Sequence, residues 1–258
     1  MPPDLIIKAT SLQKSFGAVR ALQDVNLSIA GGEVVALVGD NGAGKSTIIK
    51  ILSGVLRPDS GSLQINGKEI NFKDFSVRKA RSHGVETVYQ ERSLGEKQPL
   101  WRNVFVGRHL HNSLGFIRVA AERDLTLSIL QKSIGLRGVG VSSDALVGTL
   151  SGGERQGLAI SRAMHFKAKL TILDEPTTAL AVKEVGKVLN FIRSIPENGN
   201  SALFISHNLH HAYEVADRFV FVDRGTIIHQ CLRDEVSIAD IFSILEGRSL
   251  SPETICRR

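Results

Sequence analysis

Hydrophobic and polar positions alternate through the first 37 residues, in LIIKATSLQKSF and LQDVNLSI, with breaks at FGAVR and AGG. A period of two is the spacing of strands with one buried face. VVALV, residues 34–38, is instead an unbroken apolar run, as a parallel strand covered on both faces would be. A glycine loop follows, and then Ile48, Ile49, Ile51, Leu52 and Val55 recur at helical spacing until RPDSG stops the run. GSLQINGKEINF sets Asn66-Gly67 between two alternating arms, which predicts a hairpin. From about residue 73 to 165 the texture is helical, in FSVRKARSHG, AERDLTLSILQKSIG and SGGERQGLAISRAMHFKAK. Short apolar strands return in LTILDEP and SALFISH, separated by the amphipathic VKEVGKVLNFIRSI, and RFVFVDRGTIIHQ reads as a last hairpin. This alternation predicts an α/β core interrupted by a helical lobe.

Composition narrows the function classes. The chain has 258 residues, 42% hydrophobic and 22% charged, enough for one large domain or two small ones sharing a core. No apolar run approaches the roughly 20 residues that span a bilayer, and the N-terminus lacks the charged and apolar regions of a secretory signal. The two cysteines, Cys231 and Cys256, show no metal-ligand spacing and are expected to be reduced, in a cytosolic setting. The net charge is +6, but Lys and Arg are scattered. Without a patterned basic run or an aromatic platform, a nucleic-acid groove is not expected.

Chemistry enters at GDNGAGKS. It fits G-x-x-x-x-G-K-[ST] between a predicted strand and a predicted helix. Gly39 and Gly44 let backbone N–H groups turn inward around phosphate oxygens, and the helix N-terminus adds a positive dipole end. Lys45 would reach the β- and γ-phosphates, the Ser46 hydroxyl would ligate Mg²⁺, and Thr47 would add an α-phosphate contact. LTILDEP is a buried strand ending in acid. Asp174 suits Mg²⁺ beside Ser46, and Glu175 would polarise an attacking water. His207, after ALFIS, is placed to donate to a γ-phosphate, and Gln90, after ETVY, to touch metal or water.

A second glycine-rich helix start, LSGGERQ, has no lysine. Ser151 and Glu154 form the S-x-x-E of a capping box. The same helix end offers N–H groups, close approach at Gly152 and Gly153, and the Ser151 hydroxyl. That suits an anion held mainly by another site. Leu100, Trp101, Val104 and Phe105 crowd into six residues, either as core of the helical lobe or as a docking groove beside Arg92 and Arg102.

GDNGAGKST, YQ, LSGGERQ, LTILDEPTTAL and ISH occur in this order over nearly the whole chain. Together they resemble the nucleotide-binding subunit of ABC transporters. VYQERSL, NVFVGR, TTALAVKEV and FISHNLHHAYEVADRFVFVDRG resemble the bacterial monosaccharide importers of the ribose, xylose and fructose type. The resemblance implies a P-loop NTPase core, a mixed sheet flanked by helices with an N-terminal antiparallel β part, and an inserted α-helical subdomain. It implies one cassette over residues 1–258, with the core in 1–86 and 166–258 and the helical subdomain in about 87–165.

The resemblance also assigns roles. Phe16 would stack on adenine. Gly39, Asp40, Asn41, Gly42, Ala43, Gly44, Lys45, Ser46 and Thr47 would form the phosphate loop. Ser46, Gln90 and Asp174 would face the metal, with Gln90 also sensing the permease. Glu175 would be the base and His207 the switch histidine. Ser151, Gly152 and Gly153 would contact ATP bound to the opposite subunit. ATP and Mg²⁺ are implied, as is a homodimer closing head-to-tail on the cytoplasmic face of the inner membrane. The implied partners are permease subunits and, indirectly, a periplasmic or extracellular solute-binding protein. Ala181 stands where an aspartate often links the two sites. The alternatives are import of another small solute, a soluble ABC ATPase without a transport role, and a regulator that closes on ATP without turnover.

Overall fold

The computed structural model describes residues 4–89, 94–131, 142–166, 168–178, 180–197 and 199–247. They divide into two compact units, the first drawn from Met1–Thr87, Ala168–Glu175 and Ile192–Arg258, the second from Val88–Lys167 and Pro176–Phe191.

In the first unit the N-terminal alternation becomes two long strands, β1 (Leu5–Phe16) and β2 (Val19–Ala30), which pair antiparallel. The second strand starts at Val19, earlier than the FGAVR break suggests, because Gly17 and Ala18 alone suffice to turn the chain. Strand β3 (Val34–Val38) is buried along its whole length and leads into helix α1 (Lys45–Leu52). Strands β4 (Ser60–Ile65) and β5 (Lys68–Glu69) are the hairpin around Asn66-Gly67, both with positive φ, at 50° and 72°, the turn residues that match strand twist. The four-stranded antiparallel sheet has the order β2-β1-β4-β5.

Helix α2 (Val77–Ser82) is capped by the Ser76 hydroxyl, which accepts from Lys79 N–H. Residues 85–88, inside the stretch whose texture reads helical, form strand β6 (Val85–Val88). Four residues are too few to show a period, and their β-branched side chains fit an edge position. The six-stranded sheet runs β10-β9-β3-β8-β7-β6, from β7 (Leu170–Asp174), β8 (Ser201–Ile205), β9 (Arg218–Asp223) and β10 (Thr226–Leu232). Its centre is parallel: β3 pairs in that sense with β8 and β9, and β7 with β8. β8 is buried at every position, which explains why these strands read as apolar runs. The hairpin β9–β10 closes the edge antiparallel.

The second unit contains α3 (Leu100–Phe105), α4 (Val119–Ile129), α5 (Gly152–His165) and the start of α6 (Val182–Glu197). α6 buries Val188, Leu189, Ile192 and Ile195, spaced for one helical face. It runs past Pro196 to Glu197, two residues beyond the periodic segment; so near the end, the missing proline N–H removes only one bond. Among the described residues, helices α7 (Leu209–Val215) and α8 (Ile238–Leu245) are the last two helices.

Candidate functional site

The glycine loop lies between buried β3 and α1, and its shape depends on neighbours that leave no room for side chains. A Cβ on Gly39 would lie 2.1 Å from the Val222 carbonyl oxygen of β9, and one on Gly44 would lie 2.8 Å from Ala21 O of β2. Both residues have positive φ, 154° and 112°. The loop is tied to the β9–β10 turn, where Gly225 N–H donates to Ala43 O at 2.8 Å. Gln23 holds that turn in place through Arg224 O and Gly225 O. Thr47 N–H donates to Gly44 O at 3.0 Å, whereas the N–H groups of Lys45 and Ser46 precede any intrahelical acceptor and are available to an anion.

Lys45 is buried, and its ammonium donates to Gly39 O at 2.6 Å and Asp40 O at 2.9 Å. Burial pushes its pKa down, opposed by the charges of Glu175, Asp40 and Asp174. Asp174 ends β7 and is half-buried. Burial first, and the Glu175 charge second, push its carboxyl up, against the pull of Lys45, His207 and Lys50. Glu175 follows with φ 51°, a left-handed conformation that costs a non-glycine residue about 1–3 kcal/mol and clusters at functional sites. Its N–H donates to Ile205 O at 3.0 Å, which registers it against the end of β8. His207, two residues beyond that strand, brings Nε2 to 3.4 Å from Glu175 Oε1. Glu175 is 6% exposed, whereas the His207 side chain is 56% exposed. The carboxylate is therefore screened from bulk water, and the imidazole is open to a ligand.

Phe16 ends β1 half-exposed, with Lys14 Nζ 5.6 Å from its ring centre. A half-exposed ring of this kind can stack on another ring. Gln90 and Arg92 lie outside the described residues. Among the described residues no group of three or more His, Cys, Asp or Glu side chains could hold a metal.

In the second unit the predicted capping box is present at α5: Ser151 Oγ accepts from Glu154 N–H, and Glu154 Oε2 accepts from Ser151 N–H at 2.8 Å. One residue was not anticipated. Glu184, in the first turn of α6, lies over this helix start. A Cβ on Gly153 would fall 2.6 Å from Glu184 Cβ. Ala181 N–H donates to Glu184 Oε2 at 3.3 Å, and the nearby Ser151 hydroxyl, as the largest influence, together with the N–H groups of Ala181 and Gly153 holds the Glu184 carboxyl below its ordinary pKa. The sequence signals only that Glu184 can cap its own helix, three residues after Ala181. Leu100, Trp101, Val104 and Phe105 are all buried, none more than 6% exposed; they are core of this unit, not an open groove.

The family model described as ABC transporter matches residues 22–178. The xylose/arabinose import ATP-binding protein of Sulfolobus acidocaldarius is 41% identical over 247 residues, 95% of each chain. The fructose import ATP-binding protein of Rhizobium meliloti is 40% identical over 259 residues, 98% of each chain. A ribose import ATP-binding protein of Streptomyces avermitilis is 36% identical over 96% of this chain, which spans 48% of that longer protein. Among solved structures, a nucleotide-free ATP-binding cassette from an ABC transporter matches with a TM-score of 0.76 at 23% identity over 97% of each chain. A dimeric post-hydrolysis cassette bound to ADP and Pi matches with a TM-score of 0.73 at 23% identity over 88% of this chain and 98% of that one.

Proposed function

We propose that this chain, which belongs to the ABC transporter family, is the ATP-hydrolysing subunit of an importer that takes up a monosaccharide. The observation that carries hydrolysis is the cluster at the ends of β7 and β8: a buried glutamate in a left-handed conformation, with a histidine 3.4 Å away. Full-length relatives named for xylose/arabinose and fructose import support the sugar.

In this reading the glycine loop and α1 bind the β- and γ-phosphates of ATP, and Phe16 takes the adenine. Lys45 exchanges its loop carbonyls for phosphate oxygens, replacing an ammonium–carbonyl contact with an ion pair. Glu175 accepts a proton from the attacking water, which lies in line with the β–γ bond. His207 donates to the γ-phosphate from the end of β8. Positioning and charge neutralisation provide most of the rate.

The raised Asp174 carboxyl, destabilised by burial and by Glu175, is what a divalent cation would relieve. Mg²⁺ in nucleotide sites is bound by one or two protein groups plus substrate phosphates. Asp174 and Ser46 would hold it, and Gln90 would join them; when bound, Mg²⁺ neutralises phosphate charge.

Two such chains pair head-to-tail, so that Ser151, Gly152 and Gly153 of each meet the ATP held by the other. Residues 1–258 act as one cassette, with a core in 1–86 and 166–258 and a helical subdomain in about 87–165. Among the described residues no helix is long and apolar enough to cross a membrane. The subunit would be peripheral, carried on the cytoplasmic face by permease subunits and served by a solute-binding protein.

The test is uptake of labelled xylose, arabinose, fructose and ribose in cells lacking this chain and in cells complemented with it or with Glu175→Gln. Loss of uptake of one sugar, restored only by the native chain, is expected. Unchanged uptake of all four would reject sugar import, and steady ATP turnover by Glu175→Gln would reject the role of Glu175.

A further inference from the structure

The α5 helix start is not bare. The Glu184 carboxylate, whose Oε2 accepts from Ala181 N–H at 3.3 Å, faces its Ser151 hydroxyl and Gly153 N–H, which hold the pKa of Glu184 down. The stem of Glu184 lies directly on Gly153, where even a methyl group would collide with it at 2.6–3.0 Å. All of these residues belong to the second unit. A carboxylate and a phosphate want the same donors, N–H and O–H groups at the positive end of a helix.

We propose that Glu184 is a built-in stand-in for the partner's γ-phosphate, holding the Ser151–Gly153 donors until ATP on a second copy displaces it. This rests on the reading that Ser151 and Gly153 serve the opposite chain. Two anions cannot share one hydroxyl and one N–H at close range, so closure requires the carboxylate to swing off Gly153. Glu184 sets how much ATP-driven pairing costs. It does so without touching the chain's own nucleotide, since its contacts are with Ser151, Gly153 and Ala181. Because Glu184 also accepts from Ala181, displacing it releases that N–H at the start of α6, so the exchange links arrival of the partner's phosphate to the turn that opens this helix.

A mere helix cap makes the opposite prediction. Removing an N3 acid that only caps α6 would loosen the fold and weaken pairing. Removing a stand-in strengthens it.

The experiment measures ATP-dependent dimerisation by sedimentation in the non-hydrolysing Glu175→Gln chain, with and without Glu184→Ala or Glu184→Gln. Nucleotide affinity of the monomer is followed separately with a fluorescent ATP analogue. Expected is pairing at about tenfold lower ATP in Glu184→Ala, the factor for one charge-assisted hydrogen bond, a smaller shift in Glu184→Gln, and unchanged monomer affinity. Equal or weaker pairing in both variants, with folding intact by circular dichroism, overturns the stand-in and leaves Glu184 a cap. If Glu175→Gln itself never pairs in ATP, the opposite-chain reading falls and the proposal with it.

Discussion

His207 Nε2 lies 3.4 Å from Glu175 Oε1, joining the end of β8 to the residue that follows β7. The pair is asymmetric: the glutamate is buried and the imidazole is open. Glu175→Gln keeps the shape and removes the carboxylate proposed as the base. Its ATP turnover should fall by about 10²–10⁴, the range for a lost general base, while ATP still binds. His207→Ala should lower turnover without restoring any activity to Glu175→Gln, because both act on one step. Single-turnover hydrolysis of the two single variants and the double variant checks this; losses that multiply in the double variant would mean that the residues act independently.

Asp174 is held in a conformation that favours its neutral form. Its native pKa is raised above the ordinary 3.8 by burial and by Glu175, so the native chain keeps this proton longer than the unfolded chain. The stability contribution is complete below the unfolded value and is lost as pH rises through the native value. Above the unfolded value the raised pKa is therefore a cost to folding, of the kind found at functional sites. Asp174→Asn should raise the Tm of the nucleotide-free chain at pH 7 by about 2–4 °C and abolish turnover. The gain should vanish in acid, and a gain that persists below pH 3.8 would point to another cause.

Lys45 runs the other way. Burial lowers its pKa from 10.5, so the stability this group costs is present below its native value and is recovered as pH climbs towards the unfolded one. Lys45→Ala should remove ATP binding from the monomer. Gly153→Asp, whose Cβ meets Glu184 at 2.6 Å, should leave monomer binding within about twofold and abolish pairing and turnover. Equal loss of monomer ATP binding in both variants would contradict a shared site between two chains.

Trp101 is 6% exposed, and its indole N–H donates to Asp144 at 3.1 Å. Trp101→Ala should cost about 3–5 kcal/mol of stability, as for any large core truncation, measured by denaturant unfolding. Normal stability with lost transport would revive the docking groove.

The sequence by itself determined what local chemistry dictates. Apolar runs against alternation separated the parallel core strands from the antiparallel β part, and Asn66-Gly67 fixed a hairpin through its positive φ angles. The glycine loop and the strand-end acids were legible because their residue types and spacing admit few other uses. Ser151 and Glu154 declared their cap within four residues. Tertiary structure alone decided three things. It set the order of the six-stranded sheet, in which β3 lies between β8 and β9, since pairing partners lie far apart in the chain. It settled Leu100, Trp101, Val104 and Phe105 as core, because a dense apolar run looks the same whether covered or open. And it laid Glu184 across Gly153, a meeting of residues 31 positions apart in the sequence that no local pattern encodes, because a side chain's reach across a helix start is fixed only when both helices are packed.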